Sequence, residues 1–142
     1  MIYTTDTKKA LKICFEAHKN QLDKSGMPYV FHPFHLAEQM KDEKTTIVAL
    51  LHDVAEDTDY TLKDLSDMGF SKDVTDALSL LTHDEMVPYM DYVSLIKNNP
   101  IAKAVKLADL RHNSDLSRLD EITDKALERK EKYAKAIALL EG

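Results

Sequence analysis

A single cysteine, Cys14, is all the thiol chemistry in 142 residues. It excludes an internal disulfide framework and predicts a reducing compartment. Tryptophan is absent, and there are only 3 glycines and 4 prolines. So little backbone punctuation, beside abundant Ala, Leu, Lys and Glu, favours helices. There is no basic excess: Lys plus Arg is 19 against 25 Asp plus Glu, a formal charge of −6. Non-specific nucleic-acid binding needs a basic surface and is not expected. Small phosphorylated ligands remain open, because a metal or a few lysines can reverse the sign locally. Long apolar runs are also missing. Ile47 to Leu51 falls far short of the roughly 20 residues of a membrane span. Met1 to Asp6 lacks the charged-then-apolar start of a secretory signal. The expectation is one cytoplasmic domain with no membrane partner.

What is present reads as an all-α domain of about seven or eight helices over residues 1–142. A helix is predicted from Thr7 to His18, capped by Thr5 or Asp6, with Ala10, Leu11, Cys14, Phe15 and Ala17 on its apolar side. Lys19 to Phe31, with Ser25-Gly26 and Pro28, reads as a loop. Pro33 suits the first turn of a short helix to Met40. The next predicted helix, Lys44 to Glu56, is apolar nearly all round and should occupy the centre. Thr61 and Asp64 form a capping-box pattern for a helix to Met68, which Gly69 ends. Ser71 starts a helix to Leu81. Pro88 and Pro100 punctuate the second half, before helices from Ile101 to Ser117 and Thr123 to Leu140. The last carries Glu128, Arg129, Lys130, Glu131 and Lys132, which read as a solvated charged face. Its alanines could pack on the domain or on a second copy in a homodimer.

Three polar clusters interrupt this pattern. His52, Asp53, Glu56 and Asp57 stand at the end of the most apolar helix. Carboxylates there oppose the helix dipole by roughly 0.3–1 kcal/mol each. A solvated acidic end is one explanation; a bound cation, which turns the cost into a gain, is another. Lys106, Asp109 and Asn113 share a face with Ala102, Val105 and Ala108, so that face should point inward. It reads as a buried hydrogen-bonded network or as part of a site. His32 precedes Pro33, where a lone histidine would commonly be a cap. His35 reads as a helix-face residue and His83 as part of a polar turn. Taken together, His32, His52, Asp53 and Asp109 make two imidazoles and two carboxylates. Such a set suits a divalent ion, with Mn, Fe, Ni, Co and Zn all possible.

The three segments in order resemble the HD superfamily of metal-dependent phosphohydrolases. More narrowly, Gly26 to Pro33, Ala49 to Thr58 and Val105 to Asn113 resemble the hydrolase half of the RelA/SpoT family. Those hydrolases use Mn²⁺ to remove the 3′-pyrophosphate from ppGpp and pppGpp, the alarmones of the stringent response. The resemblance runs from about Ala17 to Leu119 and implies metal ligation by His32, His52, Asp53 and Asp109. It implies that Glu56 and Asp57 position or activate the attacking water. Lys24 matches a basic residue that holds the nucleotide, Asn113 an Asn near the ribose, and Lys106 a charge beside Asp109 or a phosphate. His18 belongs to the pattern without an implied role beyond structure.

The chain departs from that pattern at Asp23, where the family usually has a guanine-stacking Arg, and at Leu116, where a Thr touches the sugar. It is shorter than single-domain alarmone hydrolases and is expected to lack late helices that close the pocket. No synthetase domain is expected. The alternatives are a phosphohydrolase of another nucleotide or phosphoester, and a metal- and nucleotide-binding sensor that does not hydrolyse.

Overall fold

The structure is a computed structural model that describes residues 1–142, and it contains helices with no β-sheet. The helices are α1 (Thr5–His18), α2 (Phe31–Glu38), α3 (Glu43–Leu51), α4 (Val54–Asp57), α5 (Leu62–Asp67), α6 (Lys72–Leu81), α7 (Tyr89–Ile96), α8 (Pro100–Asn113) and α9 (Asp124–Glu141), with a 3-10 turn at Leu116–Arg118 between the last two. Counted with the single-turn α4 as a bent continuation of α3, the domain has the eight helices at the upper end of the expected range.

Local chemistry sets most boundaries. The Thr61 side chain accepts from Asp64 N while the Asp64 side chain accepts from Thr61 N, closing the expected capping box. Gly69 follows α5 at φ +94°, where a side chain would be strained. Ser71, Asn99 and Thr123 cap α6, α8 and α9. The cap of α1 is Thr4, in a reciprocal pair with Thr7, and not Thr5 or Asp6. Asp42 caps α3, and every residue of α3 from Thr45 to Leu51 is buried. This helix is the centre of the molecule, packed by α1, α2, α6 and α8.

Three expectations change. The expected helix Lys44–Glu56 stops at Leu51, and His52 and Asp53 form a turn before α4. His52 Nδ1–H donates to Ala49 O, tying the ring back to the helix end. The expected helix Ile101–Ser117 stops at Asn113, where the Ser114 hydroxyl donates to Leu110 O and Asp115 then caps the 3-10 turn. The helix α7 was not expected between Pro88 and Pro100. Its Tyr92, Val93 and Ile96 are buried against the core, and tertiary packing supplies what a short segment lacks in propensity.

The loop before α2 is ordered by its own side chain. Asp23 Oδ1 accepts from Ser25 N and Met27 N, Leu22 bridges to Pro28, and Gly26 sits at φ +78°. Ser25 Oγ donates to Arg118 O, so this loop is held against the 3-10 turn far along the chain.

Candidate metal centre and adjoining cavity

Three elements that pack on one another bring the expected ligands together. His32 lies in the first turn of α2, His52 and Asp53 in the turn after α3, and Asp109 within α8. Donor atoms of His32, His52 and Asp109 all lie within 4.8 Å of one another. Asp53 Oδ2 stands 3.1 Å from His52 Nε2 and 4.0 Å from His32 Nε2. All four side chains are buried.

The donor set fits a cation on a specific observation. His52 spends its Nδ1 proton on Ala49 O, which can only accept. Its buried Nε2 hydrogen-bonds to nothing, although it lies 3.6 Å from Asp109 Oδ1 and closer still to Asp53. A bare imidazole lone pair aimed at two carboxylates is repulsive unless a proton or a metal ion stands among them. Burial alone would lower the His52 pKa, but the Asp53 and Asp109 carboxylates raise it well above the ordinary value. The same carboxylates would favour a divalent ion there.

The polar neighbours set the charge of this centre. Burial would raise the Asp109 pKa, but the Lys106 ammonium, 2.9 Å from Oδ2, and the two imidazoles hold it well below the carboxylate range. Lys106 is raised in turn: burial opposes its charge, and Asp109 together with Tyr92 and Tyr89 more than offsets it. Asn113 Nδ2 donates to Asp109 Oδ1 at 3.0 Å. The Tyr29 hydroxyl donates to Asp53 Oδ2. Glu56 and Asp57 behave oppositely. Desolvation and then the Asp53 charge raise both carboxyls, though their side chains reach solvent. A raised carboxylate at a cluster's edge is a better proton acceptor than a depressed one within it.

Beside the cluster lies a cavity of about 300 Å³. Tyr29 and Asn113 belong to both, and Lys24, Arg118, Arg129 and Tyr133 also line the cavity. Lys24 has its pKa lowered by desolvation and by the neighbouring Arg129 charge. Three cationic side chains around one hollow, in a chain of formal charge −6, reverse the sign of the charge locally. Asp23 and Leu116 line it too, and Asp23 Oδ2 lies 3.9 Å from Arg118 Nη2.

Of the nine expected site residues, His32, His52, Asp53 and Asp109 converge, with Lys106 and Asn113 on Asp109 and Lys24 in the cavity wall. Lys106 is not part of the cavity wall. Sequence reasoning missed Tyr29, Arg118, Arg129 and Tyr133. Tyr29 stands three residues before His32, a spacing that could have flagged it. Arg129 was expected on the solvated face of the last helix. Instead α9 places Arg129 and Tyr133, four residues apart, on the cavity wall.

No family model matches the chain. A mouse protein named guanosine-3′,5′-bis(diphosphate) 3′-pyrophosphohydrolase MESH1 is 36% identical over 120 residues, covering 73% of this chain and 66% of that protein. The structure matches a metazoan orthologue of SpoT, described as hydrolysing ppGpp, with a TM-score of 0.78, 26% identity, and coverage of 100% of this chain and 89% of that one. The chain belongs to the SpoT-type family of HD hydrolases. The bifunctional (p)ppGpp synthase/hydrolase SpoT of Escherichia coli is 30% identical over 122 residues, and a probable GTP pyrophosphokinase of Mycobacterium leprae is 32% identical over 120. This SpoT-type chain spans only 17% and 15% of the lengths of those two proteins. No helix is long and apolar enough to cross a membrane.

Proposed function

We propose that the chain is a metal-dependent pyrophosphohydrolase that removes the 3′-pyrophosphate of ppGpp or pppGpp, giving GDP or GTP and pyrophosphate. The observation that carries this reading is the unpartnered His52 Nε2 in a buried cluster that shares Tyr29 and Asn113 with a cation-lined cavity. The mouse and metazoan relatives, named for that hydrolysis, support the substrate.

In this reading His32, His52, Asp53 and Asp109 hold one divalent ion, Mn²⁺ by family resemblance. When bound, that ion supplies a Lewis acid that polarises a phosphoryl oxygen and lowers the pKa of water. The side chains do the rest. Lys106 and Asn113 keep Asp109 ionised and oriented. Tyr29 does the same for Asp53. Glu56 and Asp57, with raised pKa values at the edge of the cluster, take the proton of the attacking water. Lys24, Arg118 and Arg129 hold the anionic nucleotide in the cavity.

The test is an assay of purified protein with Mn²⁺ and ppGpp that resolves GDP, pyrophosphate and orthophosphate. GDP with equimolar pyrophosphate supports the reading, and absence of turnover with metal bound sinks it. A second reading, hydrolysis of another nucleotide, is favoured by Asp23 and Leu116 in the cavity wall. A carboxylate cannot stack on a base as a guanidinium does. Faster turnover of a different nucleotide in a panel would establish it.

A further inference from the structure

His112 has no part in the hydrolysis proposed above. It lies in the last turn of α8, and its Nδ1 is 2.7 Å from the Nδ1 of His32. The two rings are nearly coplanar, at 4°, with centroids 5.0 Å apart. Ring nitrogens in that geometry share one proton, and a neutral pair can do so in two ways. If His112 donates, His32 carries its own proton on Nε2 and donates it to Asp109 Oδ1 at 2.8 Å. If His32 donates, its Nε2 is a bare lone pair against that carboxylate, which is stable only with a cation between them. The first arrangement suits the cluster without metal, and the second suits the cluster with it.

The identity of the partner therefore matters. A carbonyl or carboxylate in place of His112 could only accept, and a lysine could only donate. A neutral imidazole does either, by carrying its proton on one nitrogen or the other. The Arg118 guanidinium, which donates to His112 O, and the adjacent His35 and His32 rings crowd this imidazole with cationic or protonatable groups, which favours its neutral form. The residue is only half-buried, so water can reach the ring and supply or remove a proton there. His35 packs on the ring, with centroids 4.2 Å apart, and keeps it in plane with His32.

We propose that His112 is a positioning residue that lets His32 exchange tautomers when a divalent cation enters the cluster. The inference rests on the metal reading of His32, His52, Asp53 and Asp109. The proton count balances. His32 loses its Nε2 proton to solvent, His112 passes its Nδ1 proton to His32 Nδ1, and His112 takes a proton from water on Nε2.

The test uses the whole protein labelled with ¹⁵N-histidine and titrated with Zn²⁺, which is diamagnetic. Long-range ¹H–¹⁵N spectra should show His32 as the Nε2–H tautomer without zinc and the Nδ1–H tautomer with it, while His112 changes in the opposite sense. His112→Asn, whose amide can turn to donate or accept, should bind zinc within about threefold of wild type. His112→Ala should raise the zinc Kd roughly 10- to 100-fold. Zinc binding at His32 and His52 without a change of tautomer, or an unchanged Kd in His112→Ala, overturns the proposal alone. A wild-type protein that binds no zinc at these histidines overturns the metal reading and this proposal together.

Discussion

His52 Nε2 faces Asp53 Oδ2 across 3.1 Å, buried and without a hydrogen bond. A ring nitrogen held this close to a buried carboxylate without an aligned hydrogen bond leaves room for a cation between them, and this is the most direct support for a metal site in the cluster. His52→Ala should abolish metal binding and turnover together. Calorimetric titration with Mn²⁺ and the ppGpp assay check this. Mn²⁺ at 100 times Kd should also add about 2.7 kcal/mol of stability to the wild type, seen as a higher Tm. A variant that keeps turnover with no bound metal would contradict the reading.

Glu56→Gln should leave the metal affinity within about twofold and lower kcat by roughly 10²- to 10⁴-fold. The Glu56 carboxyl, raised like that of Asp57, suits it to accept a proton. Unchanged kcat would remove Glu56 from the mechanism and leave Asp57 as the candidate.

Arg129→Gln should raise KM for a polyphosphorylated nucleotide by about tenfold, roughly 1.4 kcal/mol, with little change in kcat. Arg129 lines the cavity and not the cluster, so its contribution should be the same before and during the chemistry. A loss confined to kcat would show that Arg129 acts on the reacting phosphoryl group instead.

Lys106→Met should destabilise the metal-free protein by about 3–5 kcal/mol near pH 7, read from urea unfolding. The variant leaves the buried Asp109 carboxylate facing two imidazoles without its closest cation. The pH dependence has a definite sign. The folded Asp109 pKa is depressed, so its contribution is fully present above the unfolded value of about 3.9 and is lost as pH falls through the folded value. The difference between wild type and Lys106→Met should therefore shrink toward acid. A gap that stays constant below pH 4 would mean that packing of the Lys106 stem, and not its charge, supports the fold.

Leu50→Ala should cost about 2–5 kcal/mol, because Leu50 is fully buried in the central helix. Once corrected for the folded fraction, its activity should match wild type. A specific loss of activity would mean that the helix transmits strain to His52, one turn-end away.

The amino-acid sequence by itself determined the helical class, the caps and the chemistry of the cluster. Thr61 with Asp64, Ser71 and Gly69 act within a few residues of themselves, so their effect can be read locally. The inward face of Lys106, Asp109 and Asn113 follows from helical spacing, and the two hydrogen bonds on Asp109 realise it. Other features depended on contacts between distant parts of the chain. The break at His52–Asp53 arises because the ring ties back to Ala49 and the carboxylate meets Tyr29 and His52, neither of which a periodicity argument can weigh. His32 and Asp109 are 77 residues apart, and His32 and His112 are 80 apart. Spacing alone cannot bring either pair together: the family resemblance implied the first, and nothing in the sequence signalled the second. Arg129 and Tyr133 look like an ordinary solvated helix face until α9 folds over the loop at Lys24. A charged side chain on a helix faces either water or a cavity according to what stands opposite, and only the tertiary structure decides that.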